Sequence, residues 1–124
     1  MPAPKHILLV DDEAPIREVL AEALSSAGHQ VSQAESAAAA KRIVAATPPD
    51  LLVSDLQLEQ SDGLALIAEI KASHPHIPTL LLTGILFDEK AIEERISKKV
   101  TLYLPKTSPL KTILSEVQRL LGGA

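Results

Sequence analysis

Short, unbroken apolar runs alternate along this chain with stretches whose apolar residues recur at helical spacing. Such runs are typical of strands that are covered on both faces, as in a parallel sheet. The runs lie at 7–10, around Val31, and at 51–53, 80–82 and 100–104. Strands that alternate with helices in this way predict a doubly wound α/β domain.

Helical patterns fill the intervals between the runs and also follow the last one. The predicted helices cover residues 16–24, 37–44, 64–70 and 88–96 and the segment after Ser108. Gly28 follows the first helix where a C′ glycine is expected. Ser108 is predicted as the N-cap of the last helix, with Pro109 at its first helical position. The count is therefore five strands and five helices.

Composition limits the kind of protein that this can be. A chain of 124 residues with 46% hydrophobic residues suits one compact domain, so we predict a single domain over 1–124 with no output domain. The chain has no cysteine, which excludes a disulfide framework and a thiolate metal site. The net charge of -4, without a basic stripe, argues against direct nucleic-acid binding. Without a bilayer-length apolar run or a signal peptide, we predict a cytoplasmic protein with no membrane partner.

Aspartates follow two of the predicted strands. Asp11 and Asp12 come directly after the first run, and Asp55 comes just after the third. Sites in open α/β sheets form outside the carboxyl ends of the strands, so these carboxylates converge if the two strands are neighbours. At about 4 Å, two like charges repel by roughly 4 kcal/mol at an effective dielectric of about 20. An all-oxygen cluster of this kind favours Mg²⁺.

A hydroxyl and an ammonium group are predicted at the same edge. Thr83 ends the fourth run, and Lys106 follows the fifth. Together with the aspartates they form a set suited to phosphoryl transfer. Asp55 would be the nucleophile, while the metal, Thr83 and Lys106 would neutralise charge on the transferred oxygens.

The order and spacing of these residues resemble the response-regulator receiver family, and in particular its stand-alone, chemotaxis-type members. The matching segments are Leu8-Leu9-Val10-Asp11-Asp12-Glu13, Asp55 with Asp62-Gly63 beyond it, Thr83-Gly84 and Tyr103-Leu104-Pro105-Lys106. The resemblance covers essentially the whole chain. It implies a flavodoxin-like sheet with strand order 2-1-3-4-5.

The resemblance also implies roles for particular residues. Asp12 and Asp55 would ligate Mg²⁺ directly, the backbone carbonyl of Gln57 would add a ligand, and Asp11 would act mainly through a bound water. Thr83 and Tyr103 would form a switch pair that couples phosphorylation of Asp55 to the face of the fourth helix, fifth strand and fifth helix.

The partners that the resemblance implies are proteins. A sensor histidine kinase or a histidine phosphotransfer protein would supply the phosphoryl group, and the downstream protein target stays open. A phosphorylation-dependent homodimer also stays open. The domain would not be a conventional enzyme, because it would catalyse only its own phosphorylation and dephosphorylation.

The chain departs from the family pattern at two loops. Leu58-Glu59 stands where the family usually has Met-Pro, and Thr107 stands where a proline usually follows the lysine. These departures keep open a second reading, a receiver-like interaction module that works without phosphorylation. A phosphatase with an aspartyl intermediate is disfavoured, because such enzymes commonly carry a second catalytic aspartate where this chain has Gln57.

Overall fold

The computed structural model describes residues 5–55, 57–58, 61–83, 102–105 and 108–121. Its strands are β1 (His6–Val10), β2 (Gln30–Ala34), β3 (Leu51–Asp55), β4 (Gln57–Leu58), β5 (Ser61–Asp62), β6 (Thr79–Thr83) and β7 (Leu102–Pro105). Its helices are α1 (Ala14–Ser26), α2 (Ala37–Ala46), α3 (Gly63–Ser73) and α4 (Leu110–Leu120). Within these ranges, no helix has the length and apolar character needed to cross a membrane.

The main sheet has five strands in the order β2-β1-β3-β6-β7. Every neighbouring pair in it is parallel. Numbered by their sequence among these five, the strands run 2-1-3-4-5, which is the order expected for a flavodoxin-like sheet. The strand order reverses beside β1, because the chain first builds outward to β2 and then crosses back to β3. A ligand crevice is expected at such a point, outside the carboxyl ends of β1 and β3.

Alternate residues of the strands enter two separate apolar layers, one on each face of the sheet. Leu8 and Val10 of β1 pack on one face with residues of α2 and α3. Ile7 and Leu9 pack on the other face with residues of α1 and α4. The central strands are therefore buried on both sides, which explains why they read as continuous apolar runs rather than as alternating ones.

Helix ends are fixed by local hydrogen bonds. The Oγ atom of Ser36 accepts a bond of 3.1 Å from the backbone N–H of Ala39 and so caps α2. Gly28 follows the C-cap of α1 with a φ of 99°, so the prediction of a glycine at C′ is confirmed.

The start of α4 differs from the prediction. The N-cap is Pro109, with a ψ of 141°, and not Ser108 as predicted, and the helix begins at Leu110 rather than at Pro109. The pyrrolidine ring restricts φ but leaves ψ extended here, so Pro109 stays outside the helix. Its carbonyl still accepts the first bonds of the helix, from the N–H groups of Thr112 at 2.9 Å and Ile113 at 3.2 Å.

The flavodoxin-like α/β fold with a parallel sheet is confirmed. Four of the predicted helices are present, and the remaining one, over residues 88–96, lies outside the described residues. The antiparallel pair β4–β5 was not predicted. It lies between the end of β3 and the start of α3.

Candidate metal centre

The register of β1 and β3 brings two predicted site residues to the same edge of the sheet. Val10, the last residue of β1, pairs with Ser54, the penultimate residue of β3. The next step along each strand reaches Asp11 and Asp55. Both residues are buried, with only 1% and 5% of their surface exposed.

Four carboxylates meet at this edge. One oxygen from each residue lies within 4.8 Å of the corresponding oxygens of the others, and the four residues are Asp11, Asp12, Glu13 and Asp55. Asp12 is half-buried, whereas Glu13 is exposed. Two carboxylates about 5 Å apart repel by roughly 3 kcal/mol at an effective dielectric of about 20, and a cation bound between them would offset this repulsion.

The loop that carries three of these carboxylates is held by backbone contacts. The N–H of Asp11 donates to the carbonyl of Ala34 at 3.1 Å, which extends the β1–β2 ladder by one residue. The Oδ1 atom of Asp11 accepts a bond of 2.9 Å from the N–H of Glu13. Glu13 is the N-cap of α1, and its carbonyl accepts the N–H of Arg17 at 3.0 Å. The loop therefore turns directly from the strand into the helix.

The donor set fits a hard divalent cation. Carboxylate oxygens are the ligands that Mg²⁺ and Ca²⁺ prefer, and a site that is partly open to solvent lets Mg²⁺ keep several of its waters. The half-buried Asp12 and the exposed Glu13 give the cluster such an open side. Asp11, Asp12 and Asp55 are the residues of the predicted set that the described structure brings together.

Glu13 joins this cluster although no site role was predicted for it. The sequence placed it beside Asp12, at a helix start where an acidic residue is common for reasons unrelated to metal binding. Only the distance between its carboxylate oxygen and those of the aspartates distinguishes a member of the metal cluster from an ordinary acidic residue at a helix start. Its exposure makes it a peripheral member of the cluster.

The other predicted residues are placed by their backbone or lie outside the described part of the chain. Thr83 is the last residue of β6, one position beyond the residue that pairs with Asp55, so its backbone reaches the same edge. Gln57 begins β4, two residues after Asp55. Tyr103 lies inside β7 and pairs with Leu81. Lys106 and Thr107 lie outside the described residues.

A parallel sheet with an acidic cluster where the strand order reverses is the arrangement that the receiver resemblance implies. The family model for the response regulator receiver domain matches residues 7–118. The chain belongs to this family, and receiver domains of two-component response regulators are signalling modules rather than conventional enzymes.

Particular relatives are regulators of transcription. The DNA-binding transcriptional regulator NtrC of Escherichia coli strain K12 is 33% identical over 116 residues, which cover 94% of this chain and 24% of that protein. The transcriptional regulatory protein GlrR of the same strain is 40% identical over 81 residues, covering 65% of this chain and 18% of that protein. The chain thus spans a quarter or less of these two relatives.

A solved receiver domain matches along nearly its whole length. The receiver domain of NtrX from Brucella abortus is 30% identical and superposes with a TM-score of 0.86. The match covers 95% of this chain and 99% of that one. The similarity therefore extends to the complete receiver unit of a related protein.

Proposed function

We propose that this receiver domain takes a phosphoryl group onto Asp55 in a Mg²⁺-dependent reaction and passes the signal on through a change in its surface. The donor would be a sensor histidine kinase or a histidine phosphotransfer protein. The observation that carries the proposal is the set of four carboxylates whose oxygens lie within 4.8 Å of one another at the carboxyl edge of β1 and β3.

Asp55 is the best candidate nucleophile because of where it sits. It is the last residue of a central strand, so the sheet fixes its backbone, and its side chain is 5% exposed. Asp11 and Asp12 belong to the neighbouring loop, which makes them available to hold the cation beside Asp55. We also assign the backbone carbonyl of Gln57 to the ligand set.

The reaction exchanges one bond to phosphorus for another. A carboxylate oxygen of Asp55 attacks the phosphorus atom, and the bond from phosphorus to the imidazole nitrogen of the donor breaks, leaving the electron pair on that nitrogen. Mg²⁺ supplies positive charge that offsets the charge of the phosphoryl oxygens as they approach the carboxylates. Thr83 and Lys106 would contact the same oxygens, and dephosphorylation would restore the carboxylate by attack of water.

We assign the output of the switch to the side of the sheet that ends in strand β7. Thr83 ends β6, and Tyr103 lies in β7, which pairs with β6 at the edge of the sheet. A contact between phosphorylated Asp55 and Thr83 would therefore be transmitted toward Tyr103. The surface that changes would be formed by the segment between β6 and β7, β7 itself and α4.

Three further features remain predictions. They are a cytoplasmic location, a single domain over residues 1–124 and phosphorylation-dependent dimerisation.

The direct test is phosphorylation by a small-molecule donor. We expect acetyl phosphate with Mg²⁺ to add one phosphoryl group per chain, measured by intact mass, because the domain itself supplies the nucleophile and the metal ligands. Asp55→Asn should abolish the gain in mass, as should removal of Mg²⁺ with a chelator. Peptide mapping of the wild-type product should locate the phosphoryl group on Asp55.

Asp50, at the other end of the strand that carries Asp55, provides a matched control. Asp50 directly precedes β3, at the opposite edge of the sheet, and its Oδ2 atom accepts the N–H of His6 at 2.8 Å. Asp50→Asn keeps an acceptor oxygen and should be phosphorylated like the wild type. A folded wild-type protein that binds Mg²⁺ but gains no mass would contradict the proposal and would favour a phosphorylation-independent interaction module.

A further inference from the structure

Arg17 ties the acidic loop to the neighbouring strand. It lies in the first turns of α1, and its side chain is half-buried beside the loop. Its Nη1 atom donates to the backbone carbonyl of Asp11 at 2.8 Å. Its Nε atom donates to the side-chain Oε1 of Gln33, on β2, at 3.3 Å. One guanidinium group thus connects the helix, the loop and the edge strand.

The two contacts have a specific geometric consequence. Guanidinium donors leave one rigid plane in fixed directions, so holding two acceptors at once restricts the position of both. The bond to Asp11 closes a ring that also contains Glu13, whose carbonyl accepts the backbone N–H of Arg17 at 3.0 Å. The backbone of Asp12, between Asp11 and Glu13, is part of that ring. Its backbone position is therefore set by bonds made on either side of it.

The oxygens that Arg17 binds in these contacts are neutral. One is the peptide carbonyl of Asp11 and the other is the side-chain amide of Gln33. An arginine placed only to lower the repulsion would be expected to bind a carboxylate directly. The geometry instead matches a group that orients the metal ligands from behind.

We propose that Arg17 and Gln33 form a clasp that positions Asp11 and Asp12 for Mg²⁺, and that Arg17 acts as a positioning residue rather than as a charge. This inference rests on the proposed magnesium site. Groups that orient metal ligands without touching the metal commonly change its affinity by about 10-fold to 100-fold when they are removed. The clasp should therefore matter to Mg²⁺ although neither residue contacts it.

A positioning role and a charge role predict opposite results. If Arg17 acted only through its positive charge, Arg17→Gln would tighten Mg²⁺ binding, and Arg17→Lys would leave it unchanged. As a positioning residue, Arg17 should give weaker binding in both variants, by roughly tenfold. Lysine keeps the charge but has no planar fork with which to hold both oxygens.

Calorimetric titration of Mg²⁺ into the metal-free proteins separates these cases. We expect Gln33→Ala to weaken binding by about threefold, since the carbonyl bond of Arg17 remains. The double variant of Arg17→Gln with Gln33→Ala should bind no more weakly than Arg17→Gln alone, because both changes open the same clasp. Gln33 is an exposed residue, so its variant keeps the test valid if the arginine variants unfold.

A second measurement is made without any metal. Hydrogen exchange at the backbone N–H of Glu13, which bonds to Asp11 Oδ1, should be faster in Arg17→Lys and Arg17→Gln than in the wild type. Gln30→Ala, on the other end of the same strand, and Arg119→Lys, on α4, are matched controls that should change neither quantity.

The outcomes distinguish the clasp from the site that it serves. Weaker Mg²⁺ binding with faster loop exchange supports the clasp. Unchanged or tighter binding in Arg17→Gln, with a wild type that binds Mg²⁺ normally, overturns the clasp and leaves the proposed site intact. A wild-type protein that binds no Mg²⁺ overturns both.

Discussion

Gly28 shows how a single residue sets the exit of a helix. The N–H of Gly28 bonds to the carbonyl of Ser25 at 3.0 Å, and the N–H of His29 bonds to that of Leu24 at 3.3 Å. These are the two bonds of a Schellman motif. The motif requires positive φ at C′, and Gly28 has a φ of 99°. The chain thereby leaves α1 in the direction that lets β2 pair with β1.

Replacing this glycine should cost stability through the backbone alone. A Cβ atom built at Gly28 would meet no atom within 4 Å, so steric overlap with the rest of the protein is not the cause. The left-handed region is unfavourable for alanine by about 1–2 kcal/mol, and we expect Gly28→Ala to lower the free energy of unfolding by about 1 kcal/mol. Gly28→Asn should cost less, because asparagine tolerates positive φ better. Urea unfolding measures both, and equal losses in the two variants would contradict this explanation.

The residues of the site differ in how far the sequence could predict them. Asp11, Asp12 and Asp55 were placed together because parallel strands bring their carboxyl ends to one edge, and apolar runs mark those ends. The Arg17–Gln33 contact could not be predicted in this way. An arginine in the first turns of a helix carries no pattern that tells which carbonyl or side chain it will bind.

At the scale of elements, α4 depends on its apolar face. Its N-cap, Pro109, makes no side-chain hydrogen bond to the helix. Ile113 and Val117 are buried against the sheet, with 3% and 1% of their surface exposed, whereas Leu110 on the same helix is 39% exposed. Burial of one face therefore accounts for the helix better than its termini do.

Two alanine variants on this helix test that account. We expect Ile113→Ala to lower the free energy of unfolding by about 2–5 kcal/mol, because it leaves a cavity in a packed layer. Leu110→Ala removes a side chain of the same size from a partly exposed position and should cost less than about 1 kcal/mol. Chemical denaturation of the two proteins gives the comparison, and similar losses would show that packing on this face does not hold α4.

Element positions followed from the sequence more readily than element ends did. The central strands were located by their apolar runs, yet β3 continues past Val53 to Asp55, because a polar residue can end a strand that the ladder still holds. Strands β4 and β5 have two residues each, too few for any periodicity to appear. The predicted start of α4 is wrong by one residue, because proline can occupy either the N-cap or the first helical position.

For the molecule as a whole, the site is placed by the sheet and not by a loop alone. One apolar layer joins the strands to α2 and α3, and the other joins them to α1 and α4. Asp55 ends a strand that belongs to both layers, and Asp11 extends the strand beside it. Because packing on both faces fixes those strands, the carboxylates are held near one another before any cation binds, at the cost of their mutual repulsion.

That cost predicts opposite effects of one substitution with and without metal. Asp12→Asn removes one charge from the cluster, so the metal-free variant should melt a few degrees higher than the metal-free wild type. If the proposed site binds Mg²⁺ in the folded protein and not in the unfolded chain, Mg²⁺ at a hundred times its Kd should stabilise the wild type by about 2.7 kcal/mol. The variant should lose most of that gain, because a neutral amide replaces a carboxylate ligand.

Thermal melting of both proteins at several Mg²⁺ concentrations gives, for each, the slope of the melting temperature against Mg²⁺ concentration. The control is Glu22→Gln, which removes the same charge from an exposed position on α1. Parallel slopes for Asp12→Asn and the wild type would mean that Asp12 does not contribute to the metal site.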